Sequence, residues 1–231
     1  MPTGDRKTIS ILLLLVICIL IFAGCKKKQS DITDPDHIQQ EIWYIYDSDN
    51  LDSYFGIRFY DLDWYSRVIL YPPSSITLNG NPMNFNPANS VYESIYVNEQ
   101  VQEGTFVYKD AWNRVYTNTA KLQRTIELPV VDTLYKNRDN VIEWSGAPCG
   151  GSSDVITIHV GILIPVAKVS TSVAGATSIT VRGSDLALYN SEMPLRVYIE
   201  RTTIAALQQG TQGGGKITTK YESKTRWVII K

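Results

Sequence analysis

The stretch YFGIRFYD, Tyr54 to Asp61, decides the fold class that the sequence predicts. Its apolar residues Phe55, Ile57 and Phe59 alternate with residues that tolerate contact with water. Successive side chains of an extended strand point to opposite faces, so this alternation predicts a strand that buries one face. The stretch LRVYIERT, Leu195 to Thr202, has the same period of two.

Short runs of the same kind recur along the chain and are rich in β-branched and aromatic residues. The further runs are EIWYIY, RVILY, SIYVN, TFVYK, RTIEL, NVIEW, DVITIHV, SITV, KITTKY and RWVIIK. Asn79-Gly80 is typical of a two-residue hairpin turn, and GTQGGGK (210–216) predicts a longer hairpin loop. DLALYNSE (185–192) and TTIAALQQ (202–209) each predict one short helical turn. About a dozen short strands separated by turns predict an all-β sandwich or barrel.

The number of predicted strands is large for one immunoglobulin-like sandwich and suits two in tandem. We place the boundary near Thr117 to Arg124, a polar stretch without β alternation. Aromatic usage supports the division, because residues 38–121 hold 17 Phe, Trp and Tyr and residues 122–231 hold six. The sequence therefore predicts an aromatic-rich β-sandwich domain over 38–121 and an immunoglobulin-like β-sandwich domain over 122–231.

The N-terminal segment has the features of a secretory signal. Arg6 and Lys7 precede an apolar run, Ile11 to Phe22, which is short for a transmembrane helix of about 20 residues. The run leads into FAGC, which ends at Cys25. These four residues resemble the lipobox of bacterial lipoproteins, in which the cysteine sulfur receives a diacylglyceryl group and cleavage makes that cysteine the first mature residue. The alternatives are an uncleaved anchor helix and a disulfide at Cys25.

The lipobox resemblance implies a signal peptide over 1–24, then a lipidated Cys25 and a flexible tether over 25–37. Two or more acyl chains anchor a protein stably, and Lys26 to Lys28 would add attraction to anionic headgroups. The expected location is the bacterial cell envelope, on the periplasmic side or at the cell surface, with the membrane as a partner. Without residues 1–24 the chain has 20 Lys and Arg against 22 Asp and Glu, and this mild acidity argues against nucleic acid as another partner.

The whole chain resembles bacterial lipoproteins built from tandem immunoglobulin-like β-sandwiches. The resemblance rests on the lipobox, on ITLNGNPM followed by FVYKDAWNRVYTN in the first half, and on VIEWSGAPC followed by VITIHV in the second. It implies two sandwich domains. It implies no particular activity, because sandwiches host many unrelated functions.

Several residues of reactive type could take part in catalysis only if the fold brings them into contact. Cys149 and His159 act as nucleophile and base only if they are in contact, and the simpler interpretation is a loop thiol and a strand histidine. Asp61 and Asp63 would share one strand face. The carboxylate pairs of glycosidases come from separate elements, so no sequence pattern reveals them. We expect no enzyme and no catalytic residue.

Acidic clusters raise the question of a metal site. DSDNLD offers Asp47, Asp49 and Asp52 with calcium-like spacing, but an EF-hand needs glycine sixth and glutamate twelfth, where Asp52 and Arg58 stand. A calcium site of another kind stays open beside the simpler interpretation of a solvated turn. DPDH, Asp34 to His37, falls in the predicted tether, where nothing would hold ligand geometry. We expect no metal and no cofactor.

Loop aromatics give the best indication of function. Trp64 and Tyr65 in DLDWYS and Trp112 in DAWNR stand in predicted loops, where exposed rings stack on sugars or anchor protein interfaces. The alternative is that these rings pack the core. The sequence predicts a non-enzymatic, lipid-anchored envelope protein that binds or scaffolds another macromolecule, with these three aromatics as candidate ligand-binding residues. The alternative functions are a carbohydrate-binding lipoprotein and, third, an envelope hydrolase with unrecognised carboxylates.

Overall fold

The structure is a computed structural model that describes residues 28–30, 33–63, 66–122, 124–162 and 165–231. The predicted signal peptide over 1–24, Cys25, Trp64 and Tyr65 therefore lie outside the described residues. Within the described ranges the chain is all-β, with two short 3-10 turns and no α-helix, which confirms the predicted fold class. The described residues include no helix with the length and apolar character of a membrane span. The immunoglobulin-like topology stays a prediction.

The strands are short and follow one another closely along the chain. In the first half they are β1 (Lys28–Gln29), β2 (Ile38–Asp47), β3 (Asp52–Asp61), β4 (Ser66–Ile69), β5 (Ser75–Leu78), β6 (Asn81–Pro82), β7 (Asn84–Asn86), β8 (Val91–Tyr96), β9 (Glu103–Lys109) and β10 (Val115–Lys121). In the second half they are β11 (Ile126–Glu127), β12 (Thr133–Leu134), β13 (Asn140–Glu143), β14 (Ser145–Gly146), β15 (Asp154–Gly161), β16 (Pro165–Thr171), β17 (Ser178–Val181), β18 (Pro194–Ala206), β19 (Gly215–Glu222) and β20 (Arg226–Ile230). The 3-10 turns span Pro35–His37 and Gly183–Leu186.

Twelve strands form one large sheet whose central path is β1-β4-β3-β2-β19-β18-β15-β16. Strands β8 and β7 join it beside β3, and β20 and β12 join it beside β18. A second sheet has the order β10-β9-β5-β6, and two small pairs are β11-β14 and β13-β17. The architecture is therefore several sheets around a shared core.

A parallel pairing between β2 and β19 joins the two halves of the chain. It runs from Gln40 opposite Gly215 to Asp47 opposite Glu222. The large sheet therefore contains strands from both predicted domains, 38–121 and 122–231, without a break between them. That the two halves form separate domains, each able to unfold by itself, stays a prediction.

The core between the first-half strands is largely aromatic. Phe55 and Phe59 on β3 are 1% exposed, and Ile57 between them is fully buried, as the period of two predicts. The Tyr44 and Phe55 rings stack with centroids 4.3 Å apart. The Phe59 ring lies 4.7 Å from that of Tyr108 on β9, which joins the large sheet to the second one. Fully burying a side chain of this size contributes about 1.5–3 kcal/mol to folding.

The predicted hairpin turn at Asn79-Gly80 is confirmed. Strands β5 and β6 pair with Leu78 opposite Asn81, so these two residues form the whole turn. Their φ angles are 50° and 82°, the left-handed region that a type I′ turn requires at both central positions. The loop between β18 and β19 likewise contains most of the predicted glycine-rich hairpin loop.

Two local predictions need correction. Thr202 to Ala206 continue β18 and make no helical turn, because each residue pairs with the neighbouring β19. Much of the predicted flexible tether is packed against the fold, since Thr33 is 4% exposed and Pro35 is buried. The predicted turn over 185–192 is present in part, as the 3-10 turn that ends at Leu186.

The polar stretch chosen as the domain boundary is a strand. Thr117 to Lys121 lie in β10, which pairs with β9 along its whole length. Asn118, 1% exposed, replaces an apolar side chain on the inward face. Its side-chain amide forms hydrogen bonds with the backbone of Gln208 and Gln209 at 2.7–3.1 Å. Because this buried polar side chain is hydrogen-bonded, β10 can face the interior without alternating apolar residues.

Candidate functional site

The Trp112 side chain lies at the tip of the hairpin that joins β9 to β10 and is 56% exposed. The fully buried Asp110 carboxylate braces this loop by accepting hydrogen bonds from the backbone N–H of Trp112 and of Arg114, both at 2.9 Å. The Arg114 Nε donates to the same carboxylate at 2.7 Å. The Arg114 guanidinium also lies 4.5 Å from the indole centroid, which supports one face of the ring.

Two ion pairs bring neighbouring loops to the same end of the fold. Arg114 Nη2 lies 2.8 Å from an Asp36 carboxylate oxygen, and His37 Nδ1 lies 2.6 Å from Asp63 Oδ2. The hydrogen bond to Asp63, and the charge of that carboxylate, raise the pKa of His37. We call Trp112, Arg114, Asp36, His37 and Asp63 the Trp112 surface.

The Trp112 surface bears on the other two predicted binding residues. Asp63 directly precedes Trp64 and Tyr65 in the chain. Those two aromatics lie outside the described residues, so their role stays a prediction. Trp112 is confirmed as a loop residue with an exposed ring, and the core-packing alternative is wrong for this residue.

A second site, which the sequence did not suggest, is a polar cleft of about 160 Å³ on the outer face of the large sheet. It lies where β15, β18 and β19 approach the loop between β2 and β3. Gly161 pairs with Arg196 across β15 and β18, and both residues line the cleft. The residues that line it are Asp47, Asp49, His159, Gly161, Ile162, Arg196, Tyr198, Glu222, Ser223 and Thr225.

His159 is the most buried ionisable group of this cleft, with 5% of its surface exposed. Its ring stacks on Tyr198 with centroids 4.5 Å apart and planes 2° apart. Its Nε2 lies 3.3 Å from Glu200 Oε2, a close contact without hydrogen-bond angles. Nδ1 has no hydrogen-bond partner among the described residues.

The carboxylates around His159 differ in how far neighbouring positive charges offset the cost of burying them, and their pKa values differ accordingly. Burial raises the pKa of Glu200, but the contact with His159 and the charge of Lys220, 3.1 Å away, outweigh it and lower the pKa to about 2. Burial raises the pKa of Glu222, and Lys220 at 4.0 Å offsets this less than completely. Burial, with Glu222 and Glu200 nearby, raises the pKa of Tyr198 to about 12.

The two candidate reactive pairs considered from the sequence, Cys149 with His159 and Asp61 with Asp63, are not assembled. Cys149 is 2% exposed and its Sγ lies 2.9 Å from the Asp154 carbonyl oxygen, whereas His159 contacts Glu200 and Tyr198. Asp61 ends β3 fully buried and accepts a hydrogen bond from the Asp63 backbone N–H at 2.9 Å. The Asp63 side chain is 54% exposed and turns to His37, so the two carboxylates do not share a strand face.

The three carboxylates of DSDNLD point to separate partners. Asp47 accepts from the Asp49 backbone N–H at 2.9 Å, and Asp49 accepts from the Thr225 backbone N–H at 2.8 Å. Asp52 accepts from the Tyr54 hydroxyl at 2.9 Å. In the described part of the chain no group of three or more His, Cys, Asp or Glu has an arrangement that could hold a metal ion.

The strand register explains why the cleft was missed. Glu200, Glu222 and Asp47 are successive partners across β18, β19 and β2. Their clustering depends on the parallel pairing of β2 with β19, and no local sequence pattern predicts a pairing between segments so far apart in the chain. A scan against models of protein families finds no match to this chain, and a search of curated proteins finds no significant relative.

Proposed function

We propose that this chain is a non-enzymatic, lipid-anchored protein of the bacterial cell envelope that binds another macromolecule through the Trp112 surface. The observation that carries the proposal is an exposed indole on a loop braced by a fully buried carboxylate, Asp110. A side chain that is ordered before binding loses less conformational entropy on association. Trp and Arg are also the side chains most enriched among residues that dominate binding energy.

The anchoring part of the proposal rests on the sequence FAGC at Phe22 to Cys25. We expect Cys25→Ser to release the protein from membranes or to leave an uncleaved precursor. Fractionation followed by mass spectrometry of the N-terminus distinguishes these outcomes. A variant that is processed and partitions like the wild type would contradict lipidation.

A glycan ligand is the second candidate, and a specific observation favours it. Arg114 supports one face of the indole, and Trp112 itself remains 56% exposed. Aromatic faces stack on sugar rings, and the nearby Asp63 and His37 side chains are 54% and 48% exposed, within reach of hydroxyl groups.

The test compares Trp112→Ala with Trp227→Ala, which removes a tryptophan of similar exposure, 62%, from β20. Loss of a residue that dominates binding energy costs 2 kcal/mol or more, roughly a thirtyfold loss of affinity. We expect that loss for Trp112→Ala on immobilised envelope fractions, with little change in melting temperature. Glycan-array binding abolished by Trp112→Ala would favour the sugar ligand. Equal retention of wild type and both variants would refute the proposal.

A further inference from the structure

The first described strand begins only three residues after the predicted lipid attachment point. Lys28 and Gln29 form β1, which pairs in parallel with Val68 and Ile69 on β4. The lipidated residue of the proposed function is Cys25. The stretch that can act as a tether therefore ends at β1 and is much shorter than the sequence pattern predicts.

Ser30 fastens the end of β1 to the chain that follows β4. Its backbone N–H donates to the Ile69 carbonyl oxygen at 2.9 Å, and its Oγ accepts a hydrogen bond from the Tyr71 N–H at 2.8 Å. Ser30 is fully buried. Detaching β1 would leave these polar groups without their partners, so the pairing opposes any lengthening of the tether.

The length of the stretch between Cys25 and Lys28 limits how far the fold can stand from the bilayer. Three residues span at most about 10–11 Å, even when they are fully extended. The polar headgroup layer on one side of a bilayer is about 5–8 Å thick. Because the acyl chains on Cys25 would lie in the hydrocarbon, most of this stretch is needed to cross the headgroups. Strand β1 then lies directly above them.

The edge of the large sheet at β1 has a composition that suits a negatively charged lipid surface. β1 is the terminal strand of the sheet, and the loop 86–90 lies beside β4, since the Arg67 guanidinium donates to the Asn89 carbonyl oxygen. We call residues 28–30, 66–73 and 86–90 the anchored edge. These segments contain no Asp or Glu, whereas the predicted mature chain is mildly acidic.

Positive charge and an exposed aromatic ring add to this fit. Three lysines, 26–28, directly follow the lipidated residue, and lysines beside a membrane anchor are attracted to anionic headgroups. Tyr71 is 39% exposed at the end of the anchored edge. Tyrosine is enriched at the headgroup level of membranes, because its ring is apolar and its hydroxyl bonds water.

We propose that the short tether holds the anchored edge directly on the anionic lipid surface, so that the large sheet stands edge-on to the membrane. This docking rests on the lipid anchor of the proposed function and adds a second contact with the membrane. It involves none of the residues of the Trp112 surface. The opposite edge of the sheet is β16, seven strand spacings or about 33 Å away, and it points into the aqueous compartment.

The test measures which edge of the sheet lies close to lipid. The protein is purified from membranes, its lipid is verified by mass spectrometry, and it is reconstituted in vesicles of phosphatidylethanolamine and phosphatidylglycerol. A fluorophore is attached at Ala88→Cys on the anchored edge or at Ser170→Cys on β16, and both positions are exposed. The native Cys149 is 2% exposed and reacts little. A spin label on the lipid headgroups quenches a fluorophore that lies near them.

We expect the label at Ala88→Cys to lose most of its fluorescence and the label at Ser170→Cys to lose none. A spacer of 20 Gly and Ser residues between Lys27 and Lys28 has a mean span of about 22–27 Å. It should reduce the quenching at Ala88→Cys to the level of Ser170→Cys, while the protein stays bound to the vesicles. Without the spacer, hydrogen exchange at the Ser30 amide should be slow, because this amide is bonded within the sheet.

The outcomes separate this docking from the proposed function. A protein that carries no lipid refutes the anchor, and the docking falls with it. A lipidated protein in which Ala88→Cys is quenched no more than Ser170→Cys refutes the docking and leaves the anchor intact. Quenching at Ala88→Cys that the spacer does not change, or a Ser30 amide that exchanges at the rate of an unstructured chain, also refutes the docking alone.

Discussion

Breaking the buried ion pair between Arg201 and Asp154 is expected to be among the most destabilising changes in the second half of the chain. Arg201 on β18 is 2% exposed, and its Nε donates to Asp154 Oδ1 at 2.9 Å. Its other nitrogens donate to the carbonyl oxygens of Ala147 and Pro148 at 3.0 and 2.9 Å. Asp154 also accepts from the Gly150 N–H at 2.7 Å, so the pair fixes the whole loop before β15.

Arg201→Met leaves the Asp154 carboxylate buried without its cation. Removing one partner of a buried pair costs about 3–5 kcal/mol, because the remaining charge is uncompensated. In a chain of this length each kcal/mol lowers the melting temperature by about 2–4 °C, so we expect a decrease of roughly 6–20 °C. Urea unfolding followed by circular dichroism should give the same loss of free energy at an unchanged m-value.

The double variant Arg201→Met/Asp154→Leu tests the reasoning. It removes the uncompensated charge but leaves two carbonyl groups without donors and the Gly150 N–H without its acceptor. Because an uncompensated buried charge costs more than these neutral groups, the double variant should be more stable than Arg201→Met alone. A double-mutant cycle should then give a coupling energy of about 2–3 kcal/mol. If Arg201→Met costs less than about 1 kcal/mol, or if the two single effects add, the ion pair does not hold this loop.

Three further predictions concern other parts of the fold. Gly56→Ala places a Cβ inside the space of the Trp43 ring, which lies over this glycine, and thermal melting should show a loss of about 1–3 kcal/mol. The pKa of Glu200 falls from 4.5 to about 2 on folding, so its ionised form stabilises the native state above about pH 4.5 and this stability is lost as the pH falls toward 2. Between pH 6 and pH 3 the free energy of unfolding should therefore fall by roughly 1–2 kcal/mol more in the wild type than in Glu200→Gln, after allowance for solvent screening. Asp110→Asn weakens the bonds that brace the Trp112 loop, so hydrogen exchange over 110–114 should accelerate while that of β2 stays unchanged. A loop that exchanges at the wild-type rate would show that Asp110 does not brace it.

Local patterns predicted the strands well because burial alternates with the sequence. The side chains of Phe55, Ile57 and Phe59 are buried as their spacing predicts. Asn79-Gly80 predicted its turn because few residues adopt its backbone angles. These features need only neighbours in sequence.

Features that depend on distant partners were not predictable in this way. Strand β10 lacks apolar alternation because Asn118 takes hydrogen bonds from a loop 90 positions away. The segment around Pro35 looked like a tether because the ion pair between Asp36 and Arg114 is invisible in the sequence. The His159 cleft depends on the register of three strands, so its residues could be found only after the sheet was known.

The parallel pairing of β2 with β19 also constrains how the chain reaches its native state. Ser48 and Glu222, which bond across this junction, are 174 positions apart. Closing so long a loop adds little to the free-energy cost, since each doubling of length adds only about 0.6 kcal/mol, but pairings this remote slow folding. Strand β2 emerges from the ribosome early and must wait for nearly the last strand to be synthesised. We therefore expect the first half to stay exposed to chaperones and proteases until the chain is almost complete.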